Sequence, residues 1–196
     1  MRGDQKIPVF SLSILCCEKI NLMESERIRL VAPSMDLVAD TQCAIKESET
    51  ELSEYLTWVQ ESLQNPEKNM QTATENHNEF RNEVRFYILN AKNSKLIGAI
   101  GLLIRDINVP FFELGYWIRK TETGKGYAVE AVKLLEEYAF SDLRAKRLEI
   151  RSAKSNAKSR AVAVRCGYLF EAELVNERRL PAGDLTNTIV YAKTVV

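Results

Sequence analysis

The stretch RKTETGKGYAVEAVKLLEEYAF, from Arg119 to Phe140, sets Gly124 and Gly126 one residue apart at the start of a long amphipathic run. Val129, Val132, Leu135 and Ala139 share one stripe at helical spacing, while Glu130, Lys133 and Glu137 face away. The spacing predicts a helix whose first turn is preceded by a glycine-relaxed loop. Free N–H groups at such a terminus attract anions, and glycine lets the backbone approach one closely. The amides from Gly124 through Ala128 are expected to point into one concavity, with the charge of Lys125 beside them.

Working outward, both flanks read as strands. PFFELGYWI precedes the loop; RLEIRSA follows the helix and alternates, Leu148 and Ile150 on one side, Arg147, Glu149 and Arg151 on the other. NAKSRAVAVRCG is a short helix closed by Gly167, and YLFEAEL and TIVYAKT form a final hairpin about the turn LPAGDL. Upstream, RIRLVAP, EVRFYILN and KLIGAIGLLIR are strands. The segment from Ser34 predicts two helices with Ser34 as first cap, and Asn69 to Asn82 predicts a third, polar one. An antiparallel meander followed by strand–helix–strand–helix–strand makes the class α+β around one mixed sheet.

The chain of 196 residues is long enough for one domain with its own core. Lys plus Arg and Asp plus Glu balance at 27 each, so no global field recruits nucleic acid or a membrane. Cys16, Cys17, Cys43 and Cys166 match neither a disulfide framework nor a zinc spacing, and the single histidine, His77, has no second ligand near it in sequence, so no metal is expected. IPVFSLSILCC (residues 7–17) is too short to span a bilayer and lacks a small-x-small cleavage site; it reads as a strand or extended arm. Residues 1–22 are thus expected to be an N-terminal extension, residues 23–196 a single domain, and the compartment cytoplasmic.

Two nucleotide motifs fail on the glycines. A Walker loop needs four residues between its glycines and then Lys-Ser/Thr, which TGKGYA lacks. A dinucleotide fingerprint needs a third glycine where Val129 stands, at a turn directly after a strand. A pyrophosphate cradle remains.

ELGYWI, then TGKGYAVEAVKLLEEYAF, then RLEIRSAKSNAKSRAVAVRCGYLFEAEL closely resemble the GCN5-related N-acetyltransferase (GNAT) superfamily, and within it the ribosomal-protein Nα-acetyltransferase (RimJ/RimL-type) branch. The resemblance runs roughly from Ser25 to Thr194. It implies a mostly antiparallel central sheet with helices on both faces and strands splayed at the acetyl-CoA site. The family's loop consensus, R/Q-G-x-G-x-G/A, falls on Thr123 to Ala128, with Thr123 replacing the usual Gln or Arg. By the same resemblance Gly124, Lys125, Gly126, Tyr127 and Ala128 hold the pyrophosphate, and backbone groups of Trp117, Ile118 and Arg119 pair with the pantetheine arm.

Acetyl transfer from a thioester requires a neutral amine, a polarised carbonyl and a proton for the departing thiolate. The resemblance puts the family's N-x-x-S on Asn156, contacting the cofactor arm, and on Ser159, donor to the sulfur. The local alternative is a helix cap at Ser155 or Asn156 and an exposed Ser159. Cys166, one residue before Gly167, reads as packed rather than nucleophilic. Two glutamates stand as candidate bases: Glu113 on the entering strand and Glu177 before the last hairpin, adjacent to Arg178 at the position matching the family's glutamate. An α-amino group, with a pKa of about 7.7–8.0, needs a base far less than a lysine near 10.4.

Tyr55 and Trp58 fall in the segment that shapes the family's acceptor cleft, although their spacing equally suits a core stripe. Arg178 and Arg179 are expected at the cleft rim. The expected activity is acetyl-CoA-dependent N-acetylation by direct attack of a protein N-terminal α-amine, ribosomal in type. A small amine as acceptor and a non-catalytic acetyl-CoA-binding module are the alternatives, and a homodimer is compatible with each.

Overall fold

The computed structural model describes residues 23–195, so the arm read at residues 7–17 lies outside the described residues. The chain begins with β1 (Met23–Glu24) and β2 (Ile28–Val31), then a 3-10 turn at Met35–Leu37. Four helices follow: α1 (Val38–Glu47), α2 (Glu49–Ser53), α3 (Val59–Gln64) and α4 (Pro66–Glu79). The meander is β3 (Glu83–Asn90), β4 (Leu96–Asp106) and β5 (Phe111–Ile118). Then come α5 (Tyr127–Ser141), β6 (Arg147–Ala153), α6 (Ala157–Arg165), β7 (Leu169–Arg179) and β8 (Leu185–Thr194).

All eight strands form one sheet in the order β1-β2-β3-β4-β5-β6-β8-β7, antiparallel except for the β5–β6 pair. One core lies beneath α5 and α6: Ala131, Val132, Leu135 and Ala139 pack on Phe86, Ile100, Phe112, Leu114 and Ile150. Val132 and Leu135 are fully buried, each contributing about 1.5–3 kcal/mol of apolar burial. Val129, assigned to this stripe from its spacing, is only partly buried, and Ala131 takes its place. A second core on the other face joins Ala44, Ile45, Leu52, Val59 and Met70 to Tyr87, Leu89, Ala99 and Trp117.

The two helices expected after Ser34 are instead a 3-10 turn and three short helices. Ser34 does cap, its Oγ accepting from the Asp36 N–H at 3.3 Å. Ser48 interrupts the run because its buried hydroxyl has work elsewhere. It donates to the Ala44 carbonyl at 2.7 Å and accepts the Lys120 N–H at 2.8 Å, fastening the end of α1 to the loop after β5. The polar helix starts at Pro66, suited to a first helical position, and ends at Phe80 in a left-handed conformation (φ 47°).

Candidate functional site: a gap between β5 and β6

Strands β5 and β6 pair over three rungs only, Phe111↔Arg147, Phe112↔Leu148 and Glu113↔Glu149. Beyond Glu113, β5 stays bound to β4 as far as Ile118, and β6 stays bound to β8 as far as Ala153. The facing edges of residues 114–118 and 150–153 therefore carry backbone donors and acceptors without a strand partner, a template for an extended ligand. The Arg119 N–H is already committed to the Ile97 carbonyl at 2.7 Å. Ladder alternation then turns Trp117 towards β4 as well, and leaves Tyr116 and Ile118 with backbone groups facing the gap. Of the three residues expected there, Ile118 alone presents its backbone to the gap, and Tyr116 is an addition. Gly98 permits this arrangement: a Cβ there would fall 2.1 Å from the Trp117 carbonyl oxygen.

At the open end of the gap lies the glycine loop. Gly124 (φ 78°) and Gly126 (φ 86°) are both left-handed, so the loop needs glycine for its own shape as well as for access. An added Cβ at Gly124 would meet nothing within 4 Å, and the nearest atom to one at Gly126 is Arg27 Nη2 at 3.6 Å. The bond from the Glu130 N–H to the Gly126 carbonyl, 3.2 Å, opens the helical ladder, which leaves the preceding amides of α5 free to receive an anion. Glu122, nearly buried, holds Lys125 at 2.8 Å and Lys95 at 3.1 Å, and these cations, Lys125 foremost, lower its pKa. Thr123 is exposed, and its hydroxyl donates to the Lys120 carbonyl at 2.8 Å. The loop thus offers oriented amides, two lysines and open space, a set that fits a pyrophosphate.

At the other end, Asn156 caps α6, its Oδ1 accepting the Ser159 N–H at 3.0 Å. Ser159 is not the exposed polar residue of the local alternative. Its Oγ lies 3.1 Å from the Tyr116 hydroxyl, which also reaches the Ser159 carbonyl at 3.2 Å. Burial pushes the Tyr116 hydroxyl up to about 12. On β6, the buried Ser152 hydroxyl has no hydrogen-bond partner among the described residues.

A family profile described as "Acetyltransferase (GNAT) domain" matches residues 27–169, the stretch that holds the gap, the glycine loop and the α6 cap. The chain belongs to the GNAT acetyltransferase family. Among curated relatives, it is 46% identical over 81 residues to YdaF of Bacillus subtilis (strain 168), provisionally named a ribosomal N-acetyltransferase; that match covers 41% of this chain and 44% of YdaF. The chain therefore spans less than half the length of that relative. With the ribosomal-protein-serine acetyltransferase of Escherichia coli (strain K12) it is 27% identical over 161 residues, 78% of this chain and 88% of the relative. Among solved structures, RimL, a ribosomal L7/L12 alpha-N-protein acetyltransferase in complex with coenzyme A, superposes with a TM-score of 0.80 at 19% identity, covering 89% of this chain and 98% of RimL. The likeness to RimL is one of fold.

Within this GNAT domain the two candidate bases are both engaged. Glu113 is buried at the last paired rung, with Oε2 accepting from Arg105 Nε at 2.9 Å. Its neighbour across the rung, Glu149, is buried too and bound by Arg147. Glu177 lies in an irregular stretch of β7 between the pairs Leu174↔Thr188 and Arg178↔Thr186, beside Asn176 in a left-handed conformation (φ 53°). The bulge turns Glu177 back over the sheet. There Arg151 Nη2 donates to Oε1 at 2.9 Å and the fully buried Thr188 hydroxyl donates to Oε2.

Other sequence candidates take clear positions. Burial pushes the Cys166 thiol up to about 11, which with its core packing removes it as a nucleophile. Trp58 packs on Trp117 with ring centroids 6.3 Å apart, and Tyr55 sits with its hydroxyl beside Glu54 and Ser155. Arg178 donates to the Thr188 hydroxyl at 3.3 Å, and Arg179 to the Gly183 carbonyl within its own turn. His77 is buried, with Nδ1 2.8 Å from the Arg85 carbonyl. No group of three or more potential metal ligands occurs among the described residues, and none of their helices is long and apolar enough to cross a membrane.

The parts that Arg27, Gly98, Tyr116 and Arg151 play at the site escaped the sequence reading. Tyr116 had a signal: it shares the apolar face of Phe112 and Leu114, where a hydroxyl requires a partner.

Proposed function

We propose that this GNAT domain transfers acetyl from acetyl-CoA to a protein N-terminal α-amine, of the ribosomal-protein type, by direct attack. The observation that carries the proposal is the state of the carboxylates. Glu113 is held by Arg105, and Glu177 by Arg151 and Thr188, so neither is placed as an unencumbered general base. An acceptor with a pKa near 7.7–8.0 is partly neutral at neutral pH and needs little help; a lysine side chain near 10.4 would need much. The names of YdaF and of the E. coli serine acetyltransferase support the same acceptor class.

In this reading the amides of residues 124–128 and Lys125 hold the pyrophosphate. Tyr116 and Ile118 offer backbone groups to the pantetheine arm in place of the missing strand pairing, and Asn156 fixes the α6 turn beside it. A gap-facing N–H polarises the thioester carbonyl as an oxyanion hole does. The amine nitrogen bonds to the carbonyl carbon, the carbon–sulfur bond breaks with its electron pair on sulfur, and the Ser159 hydroxyl stabilises the departing thiolate by donating a hydrogen bond to it. The amine's surplus proton leaves to water. Tyr55, Trp58 and the β7–β8 turn with Arg178 and Arg179 border the acceptor.

The test is thiol release from acetyl-CoA with peptides bearing a free Ser or Ala N-terminus, beside the same peptides N-terminally blocked. Turnover that disappears on blocking is expected. Turnover on polyamines or amino acids but on neither peptide would instead make the acceptor a small amine.

A further inference from the structure

The Tyr116 hydroxyl is held between two acceptors on one residue, the carbonyl oxygen of Ser159 at 3.2 Å and its Oγ at 3.1 Å. A phenol has one proton, so only one of the two contacts can be a donation from tyrosine at a time; in the other state the serine O–H donates to the phenol oxygen. The carbonyl contact is dispensable for α6, because a first-turn carbonyl is normally taken by the N–H four residues on. What remains distinctive is the coupling of two hydroxyls beside the gap. We infer that Tyr116 is a positioning residue that acts through Ser159, setting the direction in which the serine proton points and supporting its donation to the sulfur of coenzyme A. The inference rests on the reading that Ser159 faces that sulfur.

In the resting arrangement Tyr116 gives its proton to the Ser159 carbonyl and receives the serine proton, which is thereby kept away from the thioester. As negative charge grows on sulfur, the serine O–H swings to it, and the tyrosine O–H rotates from the carbonyl to Ser159 Oγ. No bond to hydrogen breaks in this exchange; two hydroxyl rotations change partners. A serine that accepts one hydrogen bond is a stronger donor of the other, since chained hydrogen bonds polarise each other. Burial keeps Tyr116 protonated well above neutral pH, so it remains a donor throughout. Asn156 holds the Ser159 backbone from the opposite side at 3.0 Å, so that side-chain rotation is the freedom left.

The inference is tested without any acceptor, by titrating the thiol of bound coenzyme A through the ultraviolet absorbance of its thiolate. The comparison is between the wild type, Tyr116→Phe, Ser159→Ala and the double variant, with binding of dethio-coenzyme A as a control for an intact site. Loss of the Tyr116–Ser159 hydrogen bond that supports the serine's donation predicts that Tyr116→Phe weakens the preference for thiolate by up to about tenfold. The double variant should match Ser159→Ala, and dethio-coenzyme A should bind all four alike. A Tyr116→Phe titration that follows the wild type overturns the inference, as does an effect that adds in full to Ser159→Ala. If Ser159→Ala itself changes nothing, Tyr116 has nothing to act through and the inference falls, while the peptide assay still reads the proposed acceptor independently. Should Tyr116→Phe fail to fold, 3-fluorotyrosine at position 116 decides: its more acidic hydroxyl must favour the thiolate further, and an unchanged titration overturns the idea.

Discussion

Arg27, in the turn between β1 and β2, reaches Glu130 in the first turn of α5 and donates to the Lys125 carbonyl at 3.1 Å, with its guanidinium 5.0 Å from the centre of the Tyr127 ring. The residue next to the first long strand therefore holds the glycine loop from outside. By taking the Lys125 carbonyl it orients that peptide, and with it the amide available to an anion.

Arg27→Ala should accordingly raise the KM for acetyl-CoA several-fold and leave kcat almost unchanged. The arginine is half exposed, and exposed ion pairs contribute about 0–1 kcal/mol, so the melting temperature should move little. Steady-state kinetics beside thermal unfolding checks both parts. A large fall in stability with unchanged KM would show the contact to be a brace for β1 and β2 alone.

Gly98→Ala tests the gap from its floor. The added Cβ would lie 2.1 Å from the Trp117 carbonyl oxygen, a backbone atom that cannot step aside alone. Strain of this kind costs about 1–3 kcal/mol. Lower stability and weaker coenzyme A binding should appear together, measured by denaturant unfolding and calorimetry.

If no carboxylate is the base, Glu113→Gln and Glu177→Gln should each retain activity within about tenfold, well short of the 10²–10⁴ that general base catalysis supplies. The rising limb of the pH–rate profile should follow the amine of the peptide offered. A limb unmoved when that amine is exchanged for one of different pKa would return the role to an enzyme group.

His77 gives a pH dependence of stability. Its Nδ1 faces a carbonyl and so carries the ring proton, which leaves the buried Nε2 bare and without a partner among the described residues. Burial lowers its pKa from the ordinary 6.5. The unfolded chain thus binds a proton more readily than the folded one, so this contribution is complete above about 6.5 and is lost as pH falls below it. Urea midpoints at pH 7.5 and 5.5 should diverge in the wild type and converge in His77→Gln.

How much of this was legible in the sequence depended on how local the cause was. The alternation in RLEIRSA, the glycine pair and the closing Gly167 each act within one turn or strand, and each appears where its pattern put it. The break at Ser48 was not legible, because it depends on Lys120, far along the chain. Arg27 was likewise an ordinary strand-edge arginine until α5 was packed beside it. Glu177 could be numbered from the sequence, but its direction comes from a bulge that shifts the register of β7 against β8. Residues that read as alternatives in one dimension were separated by their partners in three.

The three rungs joining β5 to β6 have one more consequence. Past Glu113, cohesion between the two halves of the sheet passes chiefly through the core under α5 and α6 rather than through the sheet itself. A molecule laid in that wedge serves as its keystone. Filling it should stiffen the whole sheet, slowing amide exchange on β4 and β8 alike, strands that never touch what is bound.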